Sequence, residues 1–528
     1  MSDKHAYKSP LRKLAQFFEK SRDNWKVKSL ANKKENRQLK KKLRTLEASK
    51  KSWKDEAIDL RKQLKKLKQT TEIIENDLEV SKKKQELMAV DTPLCEDHIP
   101  NHKYSATTIL LVLQFVLSAI SLRGSARVLS LVNDALKQPL ETIPSWFSIR
   151  LWLLRVGHYK MMRPKPVADD WCWIIDHTVQ LGKTKCLLIL GVRLSELPKG
   201  RSLTYQDVEP IDLLPVESST GKVVWEQLEQ TTLKTGVPRA IVSDYGSDLK
   251  LGVEPFCANQ KHCVSLYDIK HKTACLLKAQ LSKDENWKLF TEQAAQTKKQ
   301  LQQTVLSHLK PPNQRSKARY MNIEILLNWG TETLEIINSD EDSTEAEETQ
   351  QAKLEWLNNH PDNLDEWDEL LQVTTLAEQV VRSEGITLNG HLVLQALFQE
   401  KLPALKYVSA VTLKEDLIDF VRTQGRICKK DERLLGSSEI IESVFGKQKH
   451  LERDYAKEGF TSLILGIGAF VGEMTIDTVK EALADTSVKT VVKWCKEELG
   501  ETLQSKKIEV YSKVRNGTKS DLILCDEN

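Results

Sequence analysis

The alternation of apolar and polar positions changes period several times along the chain. From Asn36 to Leu78, the residues Leu39, Leu43, Leu46, Trp53, Ala57, Leu60, Leu64, Leu67, Ile74 and Leu78 keep an alternating four-three spacing, interrupted by Lys50 and Thr71. That seam predicts a coiled coil with Lys and Arg on its outer positions. From Tyr104 to Tyr159 apolar residues recur at three and four, and Ser145 after Pro144 is placed to cap a helix from Trp146 to His158. At Asp170 the pattern shortens to that of strands. Trp171 to Ile175, Cys186 to Val192 and Leu203 to Leu214 read as three strands, with a turn at Gly182-Lys183. A helix from Lys222 to Lys234, a strand ending at Asp244, a helix from Ser247 to Ala258 and a strand from His262 to Tyr267 complete the order βββαβαβ.

Beyond Asp268 the chain reads as helical to about Leu435. Amphipathic segments fall at Thr273–Leu281, Trp287–Leu309, Met321–Asn338, Leu354–Trp367, Leu370–Val381, Val393–Phe398 and Leu413–Val421, and an acidic loop, Ser339 to Thr349, is expected to be disordered or solvated. Ser437 or Ser438 then caps a helix whose apolar side is Ile441, Val444 and Phe445. Apolar helix Thr461–Gly466 and helices Asp477–Ala484 and Val488–Leu499 follow, expected to pack on the sheet.

The predicted fold class is therefore α/β, a mixed sheet interrupted by a long all-α insertion. The expected divisions are 1–90, basic arm and coiled coil; 91–103, linker; 104–165, helical domain; 166–280, first part of the core; 281–435, insertion; 436–475, a returning acidic helix; and 476–528, helical tail. A right-handed crossover places the first strand beside the strand that ends at Asp244.

Length and composition sharpen this picture. The 528 residues suit three or four folding units. The net charge is only +5, yet residues 21–90 hold 21 Lys/Arg against 11 Asp/Glu, so the basic character is concentrated in one arm suited to an anionic polymer. Nine cysteines lie without a CxxC pair, which predicts a reduced, intracellular protein. The apolar run Ile109 to Leu122 is shorter than a membrane span and carries Gln114, Ser118 and Ser121, so no membrane partner is expected.

The chemistry concentrates at three acids. Asp176 ends the apolar run WCWIID, Asp244 ends AIVSD, and Glu442 lies on the later helix with Lys449 two turns beyond it. Adjacent strands lie about 4.8 Å apart, so two strand-end carboxylates can share a pair of ions spaced roughly 3.5–4 Å. Two Mg2+ or Mn2+ ions are the cofactor such oxygen ligands imply. Glu439 competes with Glu442, and Asp268 is the substitute for Asp244, with Asp248 behind it. The short helices of 104–165 fit a helix-turn-helix that presents Arg123, Arg127, Arg150 and Arg155 to DNA, with a plain helical bundle as the alternative. Lys447 and Lys449 add cations near the acids, and the coiled coil implies a homo-oligomer. Cys95, His98 and His102 form half of a zinc site with no second pair nearby.

These residues carry a resemblance. Asp176 in WIIDHT, Asp244 in IVSDYGSDL and Glu442 in SSEIIESVFGKQK resemble the acidic triad of bacterial insertion-sequence transposases with an RNase H-like DDE domain. Glu442 with Lys449 resembles the E-x6-K signature of one large group of them, whose upstream Tyr and Arg are here Leu435 and Ser438. The resemblance implies binding to transposon ends, metal-dependent nicking to a 3′-hydroxyl, and strand transfer into target DNA by a multimer in the bacterial cytoplasm, at the nucleoid. A non-catalytic DNA-binding regulator and a nuclease of the same fold without strand transfer remain alternatives.

Overall fold

The computed structural model describes residue 13 and residues 17–22, 99–135, 142–179, 185–304, 306–314, 319–339, 352–402, 404–452, 461–500, 508 and 510–512. The expected coiled coil, the acidic loop, the Gly182-Lys183 turn, Cys95 and His98 lie outside the described residues. The chain separates into units 1–96 and 97–528. The second holds everything that follows.

Its first elements are α1 (Ala106–Leu117), α2 (Leu122–Ala135) and α3 (Trp146–Met162). Ser145 caps α3 as the sequence predicts, accepting a hydrogen bond from the Ser148 amide at 3.2 Å. The helix itself departs from expectation. Its sequence, WFSIRLWLLRVGHYKMM, gathers its polar residues on no one face, and ten of its residues are buried, Arg155, His158 and Lys160 among them. A helix without a polar face belongs inside, and with Arg155 and Lys160 themselves buried α3 is a core helix and not an exposed recognition helix.

The sheet follows expectation closely. β1 (Trp171–Val179), β2 (Lys185–Arg193) and β3 (Glu209–Val216) form an antiparallel meander. Helix α4 (Gly221–Thr235) leads to β4 (Ala240–Ser243), and α5 (Ser247–Asn259) leads to β5 (Val264–Tyr267). The order is β3-β2-β1-β4-β5, with β4 parallel to both β1 and β5. The third strand starts six residues later than Leu203, because Tyr205–Asp207 form a short helical turn closed by a Thr204–Asp207 capping box.

Alternation along each strand sorts its side chains between two cores. Trp171, Trp173, Ile175, Leu187, Ile189 and Ile241 face one side, under Val224 and Leu228 of α4 and Leu249, Val253 and Phe256 of α5. Trp173 stacks on Phe256 with ring centroids 6.3 Å apart. Cys172, Ile174, Leu188, Leu190, Val242 and Leu266 face the other. Each fully buried large side chain contributes about 1.5–3 kcal/mol.

After β5 the insertion runs through α6 (Ile269–Leu281), α7 (Glu285–Leu301), α8 (Glu324–Ser339), α9 (Pro361–Glu384), α10 (Gly390–Lys401) and α11 (Val408–Gly425). Its core is aromatic: Trp367 lies 4.9 Å from Trp287 and 5.0 Å from Phe290, and Phe290 lies 5.4 Å from Trp356. The insertion is not purely helical, because β6 (Ile386–Thr387) pairs with β7 (Arg433–Leu434). The segment expected at Leu354–Trp367 divides at Pro361: Glu355–Asn359 form a short 3-10 helix, and the remainder joins Leu370–Val381 in α9, which starts at Pro361 since proline is tolerated only in the first turn.

The acidic helix returns as α12 (Glu439–Leu451), against β1. The tail is α13 (Gly466–Phe470), preceded by a helical turn at Ser462–Leu465, then α14 (Ile476–Asp485) and α15 (Val488–Glu498). The last two pack chiefly on α3, and α14 packs on α1 as well. At Gly157 of α3 an added Cβ would lie 1.9 Å from the Leu465 carbonyl oxygen, a backbone approach only glycine permits. Among the described residues no helix is long and apolar enough to cross a membrane.

Candidate active site

Strand register brings the aspartates into one row. In the parallel pair β1/β4, Cys172 lies beside Ala240 and Ile174 beside Val242. Two residues further, the same offset sets Asp176 beside Asp244. In β4/β5, Ser243 lies beside Tyr267, so the next position sets Asp244 beside Asp268. By the same alternation, Asp176 shares the face of Ile174, Asp244 that of Val242 and Asp268 that of Leu266. This is the side on which α12 packs, and the C-terminal edge of parallel strands is where open α/β sheets gather ligands.

Each aspartate has a different local task. Asp176 is part-buried and its Oδ1 accepts the His177 amide at 2.6 Å. Burial, with the charge of Asp244 added, pushes its carboxyl up to about 7, and Glu442 acts in the same direction. Asp244 accepts the Gly246 amide at 2.8 Å, beyond Tyr245 in the left-handed region at φ 56°. Asp268 is 1 % exposed and fully engaged. It accepts the amides of His271 at 2.7 Å and Ser438 at 2.6 Å, and its Oδ1 lies 3.2 Å from His271 Nδ1. Burial raises this group, but those bonds hold it below the ordinary carboxylate range. It caps α6 and clamps the start of α12.

Helix α12 supplies the remaining acids. Ser438 stands at its N-cap without a side-chain cap bond, while Ser437 Oγ accepts the Glu439 amide at 3.3 Å. Glu442 Oε1 lies 3.8 Å from His271 Nδ1 and its Oε2 3.8 Å from Lys270 Nζ. Burial raises its carboxyl, and Lys270 and His271 offset only part of that. Glu439 is committed elsewhere: Arg382 of α9 holds its Oε2 at 2.9 Å and Lys270 approaches its Oε1 at 3.4 Å.

His271 joins the acids. It lies 3.9 Å from Asp244, 3.8 Å from Glu442 and 3.2 Å from Asp268. Burial works against its charged form, but the Asp268 bond and the charges of Asp268, Asp244 and Glu442 raise its pKa overall. Lys270, His271 and Arg382 were not anticipated as individuals. The signal for the first two was local, in Asp268-Ile-Lys-His after a strand; Arg382, on the insertion, left none.

His177 and Asp248 belong to the sheet's opposite side. Asp248 accepts from Lys185 at 2.6 Å and lies 3.6 Å from His177 Nδ1, whose Nε2 is 3.3 Å from Ser219 Oγ. Burial raises Asp248, yet the bonds from Lys185 and Ser219 bring it down to about 2; burial takes His177 down to about 4. Asp248 is therefore an anchor for the end of β1.

The cations expected to meet DNA divide. Arg123 and Arg127 are exposed, Arg123 over the Trp146 ring at 5.3 Å. Lys449 is exposed on α12, and Lys447 lies 3.6 Å over the Tyr205 ring. Arg150 donates to Ser462 Oγ at 2.5 Å. Arg155 cannot present itself to DNA: it is buried and donates to the carbonyls of Leu483 and Thr486, closing the C-terminal end of α14. Its remaining nitrogen is 3.3 Å from His102 Nε2, which is how the third residue of the expected zinc half-site is used.

Among the described residues no group of three or more His, Cys, Asp or Glu side chains is already disposed to hold a metal ion. The donor chemistry nevertheless fits a hard divalent cation, since Asp176, Asp244 and Glu442 offer only carboxylate oxygen and Asp176 lies in the field of both partners.

Neither protein-family models nor curated proteins match the chain. Among solved structures, a chain of the Drosophila P element transposase strand transfer complex aligns over 78% of this chain and 99% of that chain, at 13% identity and a TM-score of 0.33. A likeness this slight bears on neither reaction nor substrate.

Proposed function

We propose that the chain is a DDE transposase with an RNase H-like core, which nicks DNA at transposon ends and joins the freed 3′-hydroxyl to target DNA. What supports this is that Asp176 lies in the field of both Asp244, from a neighbouring strand end, and Glu442, from a distant helix, at one edge of a mixed sheet with order β3-β2-β1-β4-β5. Two Mg2+ or Mn2+ ions held by these three carboxylates would activate the attacking water or 3′-hydroxyl and stabilise the leaving oxygen of an in-line displacement.

The chain's own residues supply the rest. Asp268, through the Ser438 amide, fixes the first turn of α12 and hence the depth at which Glu442 enters. Lys270, with the imidazole of His271 beside it, stands next to the acids, placed to meet a phosphate. Exposed Arg123, Arg127 and Lys449, with Lys447, provide phosphate contacts that set register without reading bases. The basic heptad segment supplies self-association, as pairing two DNA ends requires.

The test is a supercoiled donor plasmid carrying the sequences that flank the coding region, incubated with protein and Mg2+ or Mn2+. Wild type is expected to give nicked and then joined products, and Asp176→Ala to bind without cutting. Identical products from both proteins would overturn the assignment. Nicked products without joined ones would select a nuclease.

A further inference from the structure

Two thiols meet in the core that α4 and α5 cover, on the side of the sheet opposite α12. Cys257, in the last turn of α5, and Cys263, at the entry to β5, stand with their sulfurs 3.3 Å apart. A disulfide bond of about 2.05 Å needs an approach of little more than about 1 Å from there. The backbone around them is held. The Gln260 amide donates to the Cys257 carbonyl at 3.0 Å, the Val264 amide to the Arg239 carbonyl at 3.1 Å, and Arg239 Nη1 to the His262 carbonyl at 2.8 Å. Both thiols are buried, at 8 % and 6 % exposure, while Ala258, Asn259 and Lys261 between them are exposed. The other cysteines are placed differently: Cys172 and Cys186 belong to the opposite core, and exposed Cys275 lies 3.2 Å from the Tyr267 hydroxyl.

Thiols in contact have an oxidation product that a single thiol lacks. We propose that Cys257 and Cys263 form an oxidation site, at which a hydroperoxide converts the two thiols reversibly into a disulfide that braces α5 to β5. The sulfur of Cys257, the more exposed of the two, attacks a peroxide oxygen and becomes a sulfenic acid as water leaves. The sulfur of Cys263 then displaces hydroxide from it, and the hydroxide takes the Cys263 proton and leaves as a second water. The two sulfurs together lose two electrons and the peroxide gains them. Contact with Cys257 and burial push the Cys263 thiol up, so the reaction is slow and exposed Cys275 reacts first; the pair differs in ending as an internal bridge. Helix α5 begins three residues after Asp244, and β5 ends one residue before Asp268. The brace therefore ties together, at their far ends, the two elements that lie behind this edge of the sheet.

Peptide mapping of the full chain tests it. The folded protein is treated with excess hydrogen peroxide, remaining thiols are blocked with iodoacetamide in denaturant, and tryptic peptides are weighed. Trypsin cuts after Lys250, Lys261 and Lys270, so the two cysteines fall on separate peptides, Leu251–Lys261 and His262–Lys270, unless a disulfide joins them. The expected result is the joined pair, two hydrogens lighter than the sum of its parts and released by dithiothreitol, with Cys172 and Cys186 recovered as blocked thiols. Recovery of Cys257 and Cys263 as blocked thiols after Cys275 is fully oxidised overturns the proposal. So does a bridge from Cys263 to Cys172, or a Cys257–Cys263 bridge that forms only in urea. Oxidation of wild type is also expected to raise the thermal midpoint by about 2–4 °C, the scale of closing a seven-residue loop in a chain of this size. Cys257→Ala, which leaves one thiol, removes that rise; if this variant does not fold, the wild-type peptide map decides alone. A bridge that forms without any rise overturns the brace.

Discussion

Replacing Asp268 by Ala should unfasten the acidic helix before it touches the chemistry. The side chain is 1 % exposed, and its two oxygens accept two backbone amides, one at the start of α6 and one at the start of α12. A hydrogen bond to a charged acceptor contributes about 1.5–3 kcal/mol, and loss of an N-cap alone costs about 0.5–2 kcal/mol. Because the Ser438 amide is left buried without its acceptor and the part-buried His271 amide loses its cap, about 3 kcal/mol of destabilisation is expected. The carboxyl is held below its ordinary range in the folded protein. Its contribution is therefore fully present above the unfolded pKa, near 4, and is lost as pH falls through the lower folded value. Urea unfolding at pH 7 and at the acid end of the stable range measures both parts. The gap between wild type and variant should be widest at pH 7 and shrink with acid. A gap under about 0.5 kcal/mol at pH 7, or one that widens as pH falls, would refute the reasoning.

Three further outcomes follow from other groups. Glu442→Gln should abolish metal-dependent nicking, whereas Glu439→Gln should lower it only a few-fold while costing about 1 kcal/mol, because Glu439 holds Arg382 and Lys270; equal losses in nicking assays would leave the third acid undecided between them. Arg155→Met should destabilise the fold by about 2–4 kcal/mol in thermal unfolding and leave DNA affinity per folded molecule unchanged, since its guanidinium caps α14 within the core; a loss of affinity without loss of stability would restore it to the DNA surface. Lys160 and Lys165 are buried around Glu209 and Arg163, and burial lowers both to about 8. The unfolded chain binds more protons than the folded one between pH 8 and their ordinary value. Stability should therefore rise from pH 8 to pH 10, on the order of 2 kcal/mol per lysine, and a denaturation midpoint that falls over this window contradicts the burial argument.

The sheet was legible because its signals are local. Trp171 to Ile175, Cys186 to Val192 and Ala240 to Ser243 are short apolar runs bounded by polar breaks, and crossover handedness then leaves one neighbour for β1. The row of Asp176, Asp244 and Asp268 follows from register alone. Arg155 was misread because an Arg on a helix between Pro-marked breaks invites a DNA role, while its neighbours Trp152, Leu153, Leu154 and Val156 already surround it with apolar positions. Continuous apolar character, not the charge, was the informative feature there. Arg382 and the partition of Glu439 from Glu442 were beyond reach for a different reason. Glu439 and Glu442 share a first turn with equal helical credentials, and only contact with a residue some sixty positions earlier separates them. Likewise α9 joins the end of one amphipathic segment to the next, with Trp367 packed on Trp287 near the join.

How a site can survive an insertion of this length is answered at its two ends. The chain leaves the sheet at Asp268 and returns at Gly436, and the Ile269 amide donates to the Gly436 carbonyl at 3.0 Å. Asp268 and Ser438, 170 residues apart in sequence, are joined at 2.6 Å. A second closure lies just inside, where β6 pairs with β7 and Arg239 beside β4 holds Glu432 at 2.6 Å. The cost of closing a loop grows only with the logarithm of its length, so once exit and return are fastened together, added residues weigh little on the geometry of Glu442. The fastening is the carboxylate of Asp268, one register step from Asp244. The residue that the sequence offers as a substitute acid is thus the one that fastens the helix carrying Glu442, which returns from so far along the chain.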